Sequence, residues 1–162
     1  MTMRKLNFLG IGPRIAAVLF PFLAAAIILS SVYHDTFCYA KAGNHILLYS
    51  GIALMAAGVV FYLMTARLLL KGLRETKLMT TGPYSLCQNP LYASIILLFI
   101  PALSLLLNSW LVLITSIVGF IIFKIFIGKE YKELESVFGE SYMVYRKETP
   151  ELFPFPYKKW LK

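Results

Sequence analysis

Thr80-Thr81-Gly82-Pro83-Tyr84-Ser85-Leu86-Cys87-Gln88-Asn89-Pro90-Leu91-Tyr92 is a polar, proline-bracketed segment set between two apolar blocks. Gly82-Pro83 and Asn89-Pro90 are turn signals. The residue before each proline is driven out of helical geometry by the pyrrolidine ring, so the segment is expected to be a shaped, non-helical loop. Irregular polar backbone beside a membrane persists only where protein or water satisfies its hydrogen-bonding groups. The segment is therefore the first candidate for a site.

The flanks of this segment are lipid-soluble. Of 162 residues, 59% are hydrophobic, and mean hydropathy is +0.71. That is too apolar for a soluble domain of this length and reads as a single integral-membrane domain. The net charge of +8 is carried by basic residues beside the apolar blocks, which points to the anionic membrane surface. Nucleic acid is disfavoured as a partner, because no recognised binding motif accompanies the charge.

The pattern predicts an all-α polytopic protein with four spans, at about 15–33, 46–66, 91–107 and 111–127, each near the length needed to cross a hydrocarbon core. The first is read as a retained span and not a removed signal peptide, since its apolar run continues past Ala24-Ala25-Ala26 without a clean cleavage site. Pro21 marks a kink point within it. In the second, Ala53 and Ala57, and Gly51 and Gly58, are small residues spaced for close helix approach. Arg67 to Lys77, alternating basic and leucine residues, is either the second span entering the headgroups or a short interfacial helix. Pro101 interrupts the third span. Asn108-Ser109 makes a tight turn into the fourth, so spans three and four form a helical hairpin. Trp110 suits an interfacial anchor, and Lys124 can snorkel to the surface.

Basic residues concentrate at the amino terminus, in the second loop and in the tail, which places both termini and the loop 67–90 in the cytoplasm. The tail 128–162 is expected to continue as helix to about Phe138, stop at Gly139, form a second short helix over 140–147 and end at Pro150. The aromatic stretch from Phe153 to Trp160 is expected along the cytoplasmic interface. This topology separates Cys38 from Cys87 across the membrane, so no disulfide between them is expected. Loop 67–90 and tail 128–162 together are expected to form the site.

Glu130 is the most informative single residue. Glu133 has Lys129 four residues away and Glu135 has Lys132 three residues away, which are helical neighbours. Glu130 has no such local cation and shares a stripe with Ile127, Leu134 and Val137. A carboxylate on an apolar face at the membrane edge needs a partner from elsewhere. Arg74, Arg146 and a ligand's ammonium or hydroxyls are the candidates. In the loop, Tyr84, Gln88, Asn89 and Tyr92 offer donors, acceptors and ring faces; against this stands the simpler reading that Asn89 caps the third span and the tyrosines are interfacial belt. Tyr142, Tyr145 and Arg146 are equally open to either reading. His34, Asp35, Cys38 and His45 match no common zinc spacing, so no metal is expected. Walker, dinucleotide and nucleophile-elbow motifs are absent from the sequence.

In order, Thr81-Gly82-Pro83-Tyr84, Gln88-Asn89-Pro90-Leu91-Tyr92, Glu130-x-x-x-Leu134, Phe138-Gly139, Tyr142-x-x-Tyr145 and Pro150 resemble the integral-membrane methyltransferases. This group contains the isoprenylcysteine carboxyl methyltransferases and the phospholipid N-methyltransferases. The resemblance covers about residues 80–154. It implies S-adenosylmethionine at the cytoplasmic mouth, with Tyr84, Asn89, Pro90, Leu91 and Tyr92 lining the cofactor pocket and Glu130 and Leu134 on the facing helix. The implied substrate is lipophilic or lipidated, methylated directly from the sulfonium. No catalytic base is evident in the loop. The sequence departs from the family at Gln88, where Arg is usual, at Tyr131, where a second Glu is usual, and at Glu151, where Arg is frequent. Loss of that last Arg weighs against an anionic acceptor. Two other readings remain: a nicotinamide-dependent membrane reductase, since sterol reductases resemble the same carboxy-terminal architecture, and a non-catalytic membrane protein that keeps the fold.

Overall fold

The computed structural model describes residues 11–41 and 44–153, and among these it is helical almost throughout. Three helices are long and apolar enough to cross a membrane: α1 (Gly12–Val32), α3 (His45–Glu75) and α7 (Trp110–Phe138). A one-turn helix α2 (His34–Phe37) lies in the first loop. The third expected span is a shorter apolar helix, Pro90–Leu106. It is built from α5 (Pro90–Ala93), a π-helical stretch Ser94–Phe99 and α6 (Ile100–Leu106). Four full-length spans are therefore not what the structure shows; three long helices and one short one are.

The π stretch has a cause in the sequence. Pro101 has no N–H to give to the carbonyl four residues before it, and its ring crowds that carbonyl. The ladder widens just ahead of it, so that the Ile100 N–H reaches back five residues to the Ile95 carbonyl.

The Arg67–Lys77 stretch continues the second span: α3 runs unbroken to Glu75 and ends on Thr76 in a left-handed conformation. Its buried residues are Gly51, Gly58, Thr65 and Gly72, a line repeating every seven positions. Gly51 and Gly58 pack on the Pro90–Leu106 helix, against Leu106 and against Phe99 and Leu98 respectively, while Gly72 meets Met79 in the following loop. Ala53 and Ala57, the other small pair, are exposed and take no part in this contact. On the other side of the bundle α1 packs along α7.

Two poles result. At one, the first loop meets the α6–α7 turn. Asn108, itself left-handed, accepts from the backbone N–H groups of Tyr39 and Ala40 and donates to the Ala40 carbonyl. The Ser30 and Ser109 hydroxyls bond at 2.6 Å, and the Trp110 indole donates to the Thr36 carbonyl. Cys38 lies here. At the opposite pole lie the 76–89 loop with Cys87, the start of α1 and the tail. Gly139 ends α7 with a positive φ, and α8 (Glu140–Glu148) folds back against it. Of the aromatic tail expected along the interface, only Phe153 falls within the described residues.

Candidate functional site

The 76–89 loop is not wholly irregular. Gly82 takes a φ of 62°, open to glycine at little cost, and Pro83 then starts a single helical turn, α4 (Pro83–Leu86). A proline is welcome there because the first N–H of a helix has no partner to lose. Gly82 and Asn89, the residues before the two prolines, are both non-helical, as the ring sterics require.

The tail fixes this loop. Gln88 donates its backbone N–H to the Pro150 carbonyl at 2.8 Å and its side-chain amide to the carbonyls of Arg146 and Thr149. The Tyr145 hydroxyl donates to the Tyr84 carbonyl at 2.7 Å. Asn89 does not cap the following helix. Its amide instead donates to the Tyr131 hydroxyl at 2.8 Å and to the Glu151 carbonyl at 2.9 Å, so the loop is tied to both α7 and the tail.

On the adjoining face of α7, Tyr92 donates its hydroxyl to Glu130 Oε2 at 3.1 Å. The backbone N–H of Ile11, at the amino-terminal end of α1, is directed at the same carboxylate. Among the described residues no cation forms an ion pair with Glu130. Arg146, one expected partner, instead lies 4.6 Å from the centre of the Tyr131 ring. Tyr84 is close enough to Glu130 and Tyr92 to feel both electrostatically.

The seven residues expected to line a cofactor pocket therefore divide in two. Tyr84, Leu91, Tyr92, Glu130 and Leu134 are partly exposed and supply a carboxylate, two phenol rings and apolar walls. Asn89 and Pro90 are buried and form the frame behind them. Burial holds the Tyr84 and Tyr145 phenols well above their ordinary range and pushes the Cys87 thiol up to about 11. All three stay neutral at physiological pH, and Glu130 is the acidic side chain on this face. A carboxylate flanked by tyrosine rings is a receptor for a cation.

A second cluster was not anticipated from the sequence. Tyr131 donates to Glu151 Oε1 at 3.0 Å, and Lys124 pairs with Glu151 Oε2 at 2.5 Å. Asn89, Tyr131, Glu151 and Lys124 form one continuous chain of bonds, and two of the three departures, Tyr131 and Glu151, meet in it. Their separation by twenty positions hid the contact. A shared register, Lys124 and Tyr131 seven apart on one helix face, was the available signal.

A family model for phospholipid methyltransferases matches residues 46–141, from α3 into the start of α8. No curated protein and no solved structure matches the chain.

Proposed function

The chain belongs to the phospholipid methyltransferase family, and from that membership and the cluster around Glu130 we propose that it transfers a methyl group from S-adenosylmethionine to a lipophilic acceptor at the cytoplasmic face of a membrane. The observation that carries the proposal is a partly exposed Glu130 carboxylate held by Tyr92, without an ion-pair partner among the described residues and within electrostatic reach of Tyr84. These residues fit a cationic cofactor. When bound, that cofactor supplies an electrophilic methyl group on a sulfonium.

Glu130 would hold positive charge by ionic contact, while the Tyr84 and Tyr92 rings add cation–π attraction. Leu91 and Leu134 would exclude water from the transfer path, and Asn89 and Pro90 would fix the loop against α7. The protein's contribution is alignment and desolvation. In this reading the Pro90–Leu106 helix crosses the membrane as a fourth, short span. Its length of about 25 Å at 1.5 Å per residue is near the lower limit for a crossing. Both termini are then cytoplasmic, and the acceptor enters sideways from the bilayer.

Calorimetry on the purified protein in detergent tests this. Heat and a thermal shift on adding S-adenosylmethionine or its demethylated product are expected. Absence of both at millimolar ligand overturns the proposal, and tight NADPH binding in their place would establish the reductase reading.

A further inference from the structure

Asn89, Tyr131 and Glu151, from the loop, α7 and the tail, close a ring of hydrogen bonds. The Asn89 amide donates to the Tyr131 hydroxyl at 2.8 Å and to the Glu151 carbonyl at 2.9 Å. The Tyr131 hydroxyl, its oxygen so engaged, donates its own hydrogen to Glu151 Oε1 at 3.0 Å. Both donating side chains are buried, Asn89 and Tyr131 each being 6% exposed. A buried donor left without an acceptor is costly. The ring therefore holds only while residue 151 presents an acceptor to Tyr131. Both ends of the Tyr131–Glu151 bond are departures from the family pattern, so this tie is the chain's own.

Lys124 constrains what can stand at position 151. Its ammonium bonds Glu151 Oε2 and can only donate. A carboxylate meets Lys124 and Tyr131 with an acceptor oxygen each. An amide cannot: its oxygen is drawn to the Lys124 charge, which turns its NH2 group toward Tyr131. That group competes with Asn89 for the Tyr131 oxygen, and the Tyr131 hydrogen loses its acceptor.

The ring bears on the cluster around Glu130 through the chain itself. Asn89 stands before Pro90, and Tyr92 follows three positions on, in α5. Tyr92 meets Glu130 at 3.1 Å, and Glu130 directly precedes Tyr131 on α7. The same turn is thus held to the same step of α7 twice, by Asn89 on Tyr131 and by Tyr92 on Glu130. So short a separation means that slippage at Asn89 displaces Tyr92. We propose that Glu151 is a positioning residue for the Tyr92–Glu130 pair: its carboxylate sets the direction of the Asn89–Tyr131–Glu151 ring, and the ring holds the turn that carries Tyr92. The inference rests on the methyltransferase reading for what the pair binds, while the ring is measurable without it.

The test compares the full chain in detergent with E151Q, K124Q/E151Q, Y92F and Y92F/E151Q. Calorimetry reads S-adenosylmethionine affinity. Maleimide labelling of Cys87, resolved from Cys38 by peptide mass, reads opening of the turn, since Cys87 is buried two residues before Asn89. In E151Q affinity should fall and labelling should rise, each by about three- to tenfold, as the loss of one net hydrogen bond gives. Adding K124Q should restore both, because an amide oxygen at 124 accepts from the NH2 group at 151 and frees the oxygen at 151 for Tyr131. An ion pair acting only as a clamp predicts a double variant no better than E151Q, and that result overturns the proposal. In Y92F, which lacks the hydroxyl that reaches Glu130, E151Q should cost little further affinity; an undiminished cost overturns the route through Tyr92. Should E151Q not fold, a folded, binding double variant is the same restoration, and an unfolded one overturns the ring. Absence of S-adenosylmethionine binding in the unmodified protein overturns the methyltransferase reading, and the labelling series then decides the ring by itself.

Discussion

Tyr92 donates its phenol hydrogen to Glu130 Oε2 across 3.1 Å, joining the first turn after the Asn89-Pro90 bend to the carboxy-terminal half of α7. The bond uses one lobe of one carboxylate oxygen. An ionised carboxylate offers about four acceptor directions, so capacity remains on Glu130 for an incoming cation.

Glu130→Gln keeps the shape and the hydrogen bond from Tyr92 but removes the charge. A charge-assisted contact contributes about 1.5–3 kcal/mol, which corresponds to roughly ten- to hundredfold in affinity. Calorimetry should show S-adenosylmethionine binding weakened by that factor in E130Q, with little change in melting temperature. Tyr92→Phe should weaken it less, since the ring face is kept. An E130Q protein that binds as the parent does would mean the carboxylate serves only to anchor Tyr92 and α1.

Much of this arrangement was legible in the sequence, for identifiable reasons. Hydropathy marked α1, α3 and α7 because lipid imposes one uniform demand on every exposed face. Gly139 and Pro150 marked the bounds of α8 through backbone sterics, which are local. Glu130 stood out because its helical neighbours lacked a cation. Its actual partners did not, since Tyr92 and the Ile11 amide arrive by tertiary packing. Asn89 read as a cap because its position before a helix fits one; the distant hydroxyl of Tyr131 and carbonyl of Glu151 took its donors instead. Pro101 marked an interruption in the helix from Pro90 to Leu106, but the π stretch ahead of it was not legible, because that widening changes hydrogen bonding without changing composition.

Two tyrosines on one face of α8 separate structural from idle hydroxyls. Tyr145 bonds the Tyr84 carbonyl, whereas the Tyr142 hydroxyl is buried without a hydrogen-bond partner, its phenol pushed up to about 12 by burial. Tyr145→Phe should destabilise by about 1 kcal/mol, the net worth of a typical hydrogen bond. Tyr142→Phe removes an unsatisfied donor and should leave the melting temperature unchanged or higher. Thermal denaturation of the two variants side by side checks the ordering, and a larger loss in Y142F contradicts it.

Glycine positions give a matched pair of packing predictions. A methyl group at Gly58 would sit 2.9 Å from the Phe99 ring, while one at Gly128 would meet nothing within 4 Å. Gly58→Ala must therefore push α3 off the Pro90–Leu106 helix, at about 1–3 kcal/mol for an overpacked contact. Gly128→Ala gains helix propensity of up to about 1 kcal/mol without a clash. Melting curves in detergent should move in opposite directions, and a destabilised G128A would show that this part of α7 has a neighbour the packing argument omits.

Alkaline pH should expose the burial of Cys87. Its thiol is 1% exposed and raised to about 11 by desolvation. Unfolding returns it to an ordinary thiol, which ionises from about pH 9. Above that pH the unfolded chain sheds a proton that the folded chain retains. The stabilising contribution is thus complete below about pH 9 and is lost as pH rises through 11, on the order of 2 kcal/mol in total. Tyr84, Tyr142 and Tyr145, also raised by burial, add losses of the same sign at higher pH. Cys87→Ala leaves a small cavity and so begins at a lower melting temperature, but it should fall less steeply between pH 9 and 11 than the parent. The slopes, and not the starting values, are the measurement. Parallel slopes would show that Cys87 ionises alike in both states. Maleimide labelling gives an independent check: the half-buried Cys38 should react at neutral pH, and Cys87 only once the loop is released from Tyr145 and the tail.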